Sequence, residues 1–76
     1  MTPDQCRAAR AMLNLDQTEV ADRSGVACTT IIDFEQGRRV PQGKTLAAIR
    51  AVLEAAGVVF LDPNGNGPGV GLRKTE

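Results

Sequence analysis

Residues equipped to do chemistry cluster in one stretch of this sequence. Arg38 and Arg39 stand side by side after Gly37, with Lys44 downstream and Gln17 upstream, a set of cations and an amide suited to gripping phosphate oxygens. Between them, Thr29 offers a hydroxyl and a methyl that suit base edges and the thymine methyl, and Asp33 a carboxylate that suits the cytosine amino group. Thr30 adds a hydroxyl placed for a phosphate. Catalysis has no comparable basis: histidine is absent, neither cysteine has an evident base, and the acidic residues sit at helix caps or on exposed faces. No enzyme is expected.

Cys6 and Cys28 lack the paired spacing of a zinc site, and no histidine completes one, so neither a metal nor a cofactor is expected. Both read as reduced, small hydrophobes. A redox role for Cys28 at a helix start is disfavoured because no resolving cysteine lies near it in sequence. Gly43-Lys44-Thr45 resembles the end of a phosphate-binding loop. However, residues 38 to 42 put five positions after Gly37 where four are required, and no strand precedes them. The glycine-rich run at 65–71 lacks the lysine and the strand-turn-helix setting of such a loop, so turn chemistry accounts for it. No small-molecule ligand is evident.

The elements that must position these residues are mainly helical. Thr2, Pro3 and Gln5 form a capping-box start for a helix reaching about Asn14, with Cys6, Ala9, Met12 and Leu13 at helical spacing. Asp16 with Glu19 repeats the cap ahead of a short second helix that stops at Ser24-Gly25. A third helix over residues 28–36 turns Ile31 and Phe34 inward and closes at Gly37. Its β-branched content favours a strand, but the three-residue spacing and the terminal glycine decide for a helix. Residues 45–56 form an amphipathic fourth helix with Leu46, Ile49, Val52 and Leu53 on one stripe, ended by Gly57. Strand composition follows at 58–61, turn residues at 63–69, and a returning strand at 70–73.

The spacing within residues 17–36 is that of two crossing helices: small Ala21 where they approach, Gly25 at the turn, then Ile31 and Phe34 as anchors. Together with Phe34-Glu35-Gln36-Gly37-Arg38-Arg39-Val40-Pro41, this pattern resembles the Cro/CI-type (XRE) helix-turn-helix regulator family over residues 4 to about 57. The resemblance implies a lambda-repressor-like bundle of four to five helices plus a short C-terminal β-hairpin or dimerising strands. It places Ala27, Cys28, Thr29, Ile32 and Asp33 against base edges. It puts Gln17, Arg38, Arg39 and Lys44 at phosphates, beside the Thr30 hydroxyl, and it implies a structural ion pair between Arg10 and Glu35. The implied function is sequence-specific binding of double-stranded DNA by a transcriptional repressor.

The chain's 76 residues fit one small domain, whose limited burial makes a partner subunit useful. The division expected is a DNA-binding unit over 1–57 and a C-terminal extension over 58–76. A lone hairpin is marginal in water, so Val58, Val59, Phe60, Leu61, Val70 and Leu72 are assigned to pairing in a homodimer on a pseudopalindromic operator. Zero formal net charge and only two aromatic residues argue against bulk electrostatic or single-strand stacking modes. No apolar run approaches a membrane span and the N-terminus is polar, so bacterial or phage cytoplasm, with nucleoid association when DNA-bound, is the expected location. The rival reading is a protein-interaction module of anti-activator or antitoxin type, using exposed Ile32 and Cys28 on the same fold to hold a protein partner.

Overall fold

The computed structural model describes residues 1–61 and 69–72. They form α1 (Pro3–Leu13), α2 (Gln17–Ser24), α3 (Cys28–Glu35), α4 (Gly43–Ala55), β1 (Val58–Leu61) and β2 (Gly69–Leu72). The fold is mainly α with a small antiparallel hairpin, consistent with a lambda-repressor-like bundle. None of the described helices is long and apolar enough to cross a membrane.

Local chemistry explains most boundaries. Thr2 Oγ1 accepts from the Gln5 backbone N–H at 3.1 Å, and Gln5 Oε1 accepts from the Thr2 N–H at 2.8 Å, completing the capping box of α1. Asp16 Oδ1 accepts from the Glu19 N–H at 2.9 Å and starts α2. The Glu19 side chain reaches forward to Arg23, at 3.6 Å, instead of back to the cap. Gly25 takes a left-handed φ of 72°, and the Ser24 hydroxyl donates to Val20 O at 2.6 Å, which tightens the turn into α3. Helix α4 begins at Gly43, two residues before the predicted start at Thr45. The Thr45 N–H already bonds to Gln42 O at 3.0 Å, so Thr45 lies inside the first turn and does not cap it.

The end of α3 is more specific than a generic glycine stop. Glu35 is its last residue, one short of the predicted Gln36, which is the C-cap. Gly37 has φ 76°, its N–H bonds to Phe34 O at 3.0 Å, and the Arg38 N–H bonds to Asp33 O at 2.8 Å. These two bonds are the Schellman pair, and they fix the direction in which the arginine loop leaves the helix.

One core joins all four helices and the hairpin: Cys6 and Ala9 of α1, Val20 and Ala21 of α2, Ile31 and Phe34 of α3, Ile49 and Leu53 of α4, and Val58 and Phe60 of β1. The hairpin is thus built into the bundle and does not extend from it. Its register pairs Val58 with Leu72 and Phe60 with Val70, and strand alternation turns Val58 and Phe60 inward while Val59 and Leu61 face out. Gln5 clamps it from α1, its Nε2 donating to Leu61 O at 3.2 Å and Gly69 O at 2.9 Å. Arg50 of α4 lies over the Phe60 ring, 5.1 Å from its centroid. The returning strand begins one residue earlier than predicted, at Gly69, and the rest of the turn predicted over 63–69, like Arg73, lies outside the described residues.

Candidate nucleic-acid interface

Helix α3 presents one open face. Ile31, Phe34 and Glu35 are buried, Ala27 and Thr29 are exposed, and Cys28, Thr30, Ile32 and Asp33 are half-buried along the rim. Thr29 and Asp33, four residues apart, share a face, and Ala27, Cys28 and Ile32 flank it, so the five residues assigned to base edges occupy one surface. At the N-terminal end of α3, Thr30 lines a groove with Arg39, Val40, Gln42 and Thr45. Pro41 is buried and anchors the loop, while Val40 beside it is 86% exposed. Val40 carries no motif signal in the sequence. An isolated aliphatic residue between arginine and a buried proline is the pattern that would have drawn attention to it.

The electrostatics resolve the puzzle of zero net charge. Among the described residues, Arg7 pairs with Asp4, Arg10 with Glu35, Arg23 with Glu19 and Arg50 with Glu54. The remaining described cations, Arg38, Arg39 and Lys44, are exposed and make no ion pair among these residues. Arg38 and Arg39 lie in the loop from α3 into α4, and Lys44 in the first turn of α4. Positive charge is therefore concentrated at one end of the recognition surface although the chain total is zero.

Behind that surface lies a buried polar cluster. The Glu35 side chain is 2% exposed and accepts Arg10 Nε and Nη2, each at 2.6 Å. The same carboxylate accepts Cys6 Sγ at 3.2 Å and Gln17 Nε2 at 3.0 Å, while Arg10 Nη1 donates to Leu15 O at 3.2 Å. The Arg10–Glu35 pair implied by the resemblance is therefore present and bidentate. Gln17, assigned to phosphate, has its amide nitrogen turned inward onto Glu35. Burial pushes the Glu35 carboxyl up, but the donors from Arg10, Cys6 and Gln17 outweigh it and hold the group below its ordinary value. Burial and then the adjacent Glu35 push the Cys6 thiol up to about 12. Neither Cys6 nor the inward role of Gln17 was legible, because both depend on a partner distant in sequence.

Cys6 is fully buried and Cys28 half-buried, and both are free. Alkylation at pH 8 should therefore label Cys28 in the folded protein and reach Cys6 only with unfolding. Peptide mass spectrometry with and without denaturant checks this; equal labelling of both in the folded state would contradict the burial of Cys6.

An open helix crossing a second helix at a tight glycine turn, with unpaired cations at its rim, defines a helix-turn-helix DNA-binding domain. The helix-turn-helix family model matches residues 7–56, well over half the chain, and the chain belongs to that family in its Cro/CI (XRE) form, a family of DNA-binding transcription regulators. No curated protein matches the chain.

Proposed function

We propose that this chain is a sequence-specific repressor that binds a pseudopalindromic operator in double-stranded DNA as a homodimer, in the cytoplasm of a bacterium or a phage host. The observation that carries the reading is the sorting of charge: among the described residues Arg38, Arg39 and Lys44 make no ion pair and lie beside the open face of α3, while the other described arginines are paired with carboxylates. Thr30, Arg38, Arg39 and Lys44 contact phosphates, and Thr29, Asp33, Ile32, Cys28 and Ala27 read bases through methyl contact, a hydroxyl and one carboxylate acceptor. Fluorescence anisotropy at several salt concentrations tests this, using a duplex enriched by the protein from a random library and a scrambled duplex. Preference for the enriched duplex with a negative salt slope supports it. Salt-independent failure to bind either duplex favours a protein-interaction module instead, a reading to which exposed Val40 lends weight.

The dimer uses the hairpin's outer surface, because Val58 and Phe60 are enclosed in the chain's own core. Val59 and Leu61 are 39% and 51% exposed on that outer face and stand opposite Gly71 and Gly69, which leaves a flat apolar strip. Truncation after Gly57 would remove core residues, so point variants are the proper test. Val59→Lys/Leu61→Lys should keep its helical circular dichroism, sediment as a monomer, and bind the enriched duplex roughly a hundredfold more weakly through lost bivalency. A double variant that still sediments as a dimer would remove the hairpin from this role.

A further inference from the structure

We infer that Asp33 sets which operator is bound, by requiring a cytosine amino group at one fixed position of each half-site; this rests on the DNA-binding reading above. Among the described residues Asp4, Glu19, Glu35 and Glu54 pair with arginines, and Asp16 caps α2. Asp22 is exposed on α2. Asp33 is half-buried and is the one acidic residue on the open face of α3. Its side chain makes no hydrogen bond or ion pair among the described residues. A cation is at hand: the Arg38 N–H bonds to Asp33 O at 2.8 Å, yet the Arg38 guanidinium does not pair with the Asp33 carboxylate. The fold therefore holds a carboxylate on the recognition surface and supplies nothing to satisfy it.

Docking makes that carboxylate decisive. Water solvates it in the free protein; against a duplex the water is displaced and phosphates stand to either side, so binding is penalised on any sequence that lacks a donor there. An ionised carboxylate only accepts hydrogen bonds, and the major groove offers it two kinds of donor, cytosine N4 and adenine N6. Adenine sets its N7 acceptor beside N6, where it opposes the second carboxylate oxygen lone pair to lone pair. Cytosine sets its apolar C5 edge there, and the neighbours of Asp33 suit that edge: Thr29 with its methyl one turn back, about 6 Å along the helix, and Ile32 and Cys28 on the rim. Cytosine is the base that satisfies the carboxylate without a new repulsion. Discrimination comes from the cost of the wrong bases as much as from the bond to the right one.

The test compares wild type with Asp33→Ala and Asp33→Asn. Wild type enriches duplexes from the random library with an invariant cytosine in each half-site. Exchanging that cytosine for thymine, whose O4 is an acceptor, lowers wild-type affinity about tenfold, the scale of one charge-assisted hydrogen bond. Asp33→Ala brings the two duplexes within about threefold of each other and binds the scrambled duplex more tightly, because a negative charge has left the surface that faces the phosphates. Asp33→Asn, selected afresh on the library, admits adenine at that position, since a side-chain amide reads adenine N6 and N7 together. A merely structural role for Asp33 weakens every duplex alike and leaves the cytosine-to-thymine ratio unmoved, which overturns the inference. It is equally overturned by a wild-type set with adenine or no fixed base in place of the cytosine, or by an Asp33→Asn set that still excludes adenine. If wild type binds no duplex, the DNA-binding reading fails and this inference with it. If wild type discriminates and Asp33→Ala keeps the tenfold ratio, the inference alone fails.

Discussion

Arg10→Met is expected to destabilise the fold by about 3–5 kcal/mol, the range for removing one partner of a buried ion pair. The Glu35 side chain is 2% exposed and takes two of its four donors from Arg10, so the variant leaves a buried carboxylate half-satisfied in an apolar core. In a domain this small, each kcal/mol lowers Tm by about 4–8 °C, so a drop of at least ~12 °C should be visible by circular dichroism. Arg10→Met/Glu35→Leu should recover most of the loss, because removing both charges removes the orphan. A single variant losing less than about 1 kcal/mol would show that the pair is worth no more than a surface bridge.

The same cluster sets how stability depends on pH. Glu35 in the folded chain lies below its ordinary 4.5, so its contribution is complete above that value and is lost as pH falls through the folded value. Cys6 behaves in the opposite sense: raised from 9.0 to about 12, it contributes fully below 9.0 and loses that contribution as pH climbs towards 12. Urea melts from pH 3 to 10 should show both limbs. Arg10→Met should flatten the acid one, since the bonds that lower Glu35 come first from Arg10.

Arg38→Ala/Arg39→Ala is expected to weaken DNA binding roughly tenfold per arginine at low salt, the scale of a charge-assisted hydrogen bond. The slope of log affinity against log salt should become shallower by about 2, since each lost phosphate contact removes about 0.9. Both residues are exposed and unpaired among the described residues, so Tm should stay put. Arg23→Ala is the control: that side chain already pairs with Glu19, at 3.6 Å, and removing it should leave the slope unchanged. An unaltered slope in the double variant would show that these arginines never meet the duplex.

Features governed by near neighbours could be read directly. Thr2, Asp16 and Gly25 act within three or four residues of themselves, so cap and turn chemistry placed α1 and α2 before any tertiary contact was known. The start of α4 escaped because Gly43 and Lys44 carry no cap signal and Gln42 makes no side-chain cap bond. The run 58–61 was recognisable as a strand, but nothing local shows that the bundle has room for Val58 and Phe60. At the interface, the open face of α3 follows from helical spacing. The inward turn of Gln17 follows from a carboxylate eighteen positions away, and no spacing argument reaches that far.

The clamp made by Gln5 has a consequence for synthesis. Its bonds join residues 56 and 64 positions apart, so α1 can form its own first turn but cannot be clamped until the last described strand exists. On a translating ribosome α1 to α4 emerge with the places of Val58 and Phe60 in the core still empty, and the nascent bundle stays open to proteases and to other chains. Closure comes as a late, single event when β2 arrives, so a messenger cut short before that strand yields a polypeptide for degradation and not a weakened regulator.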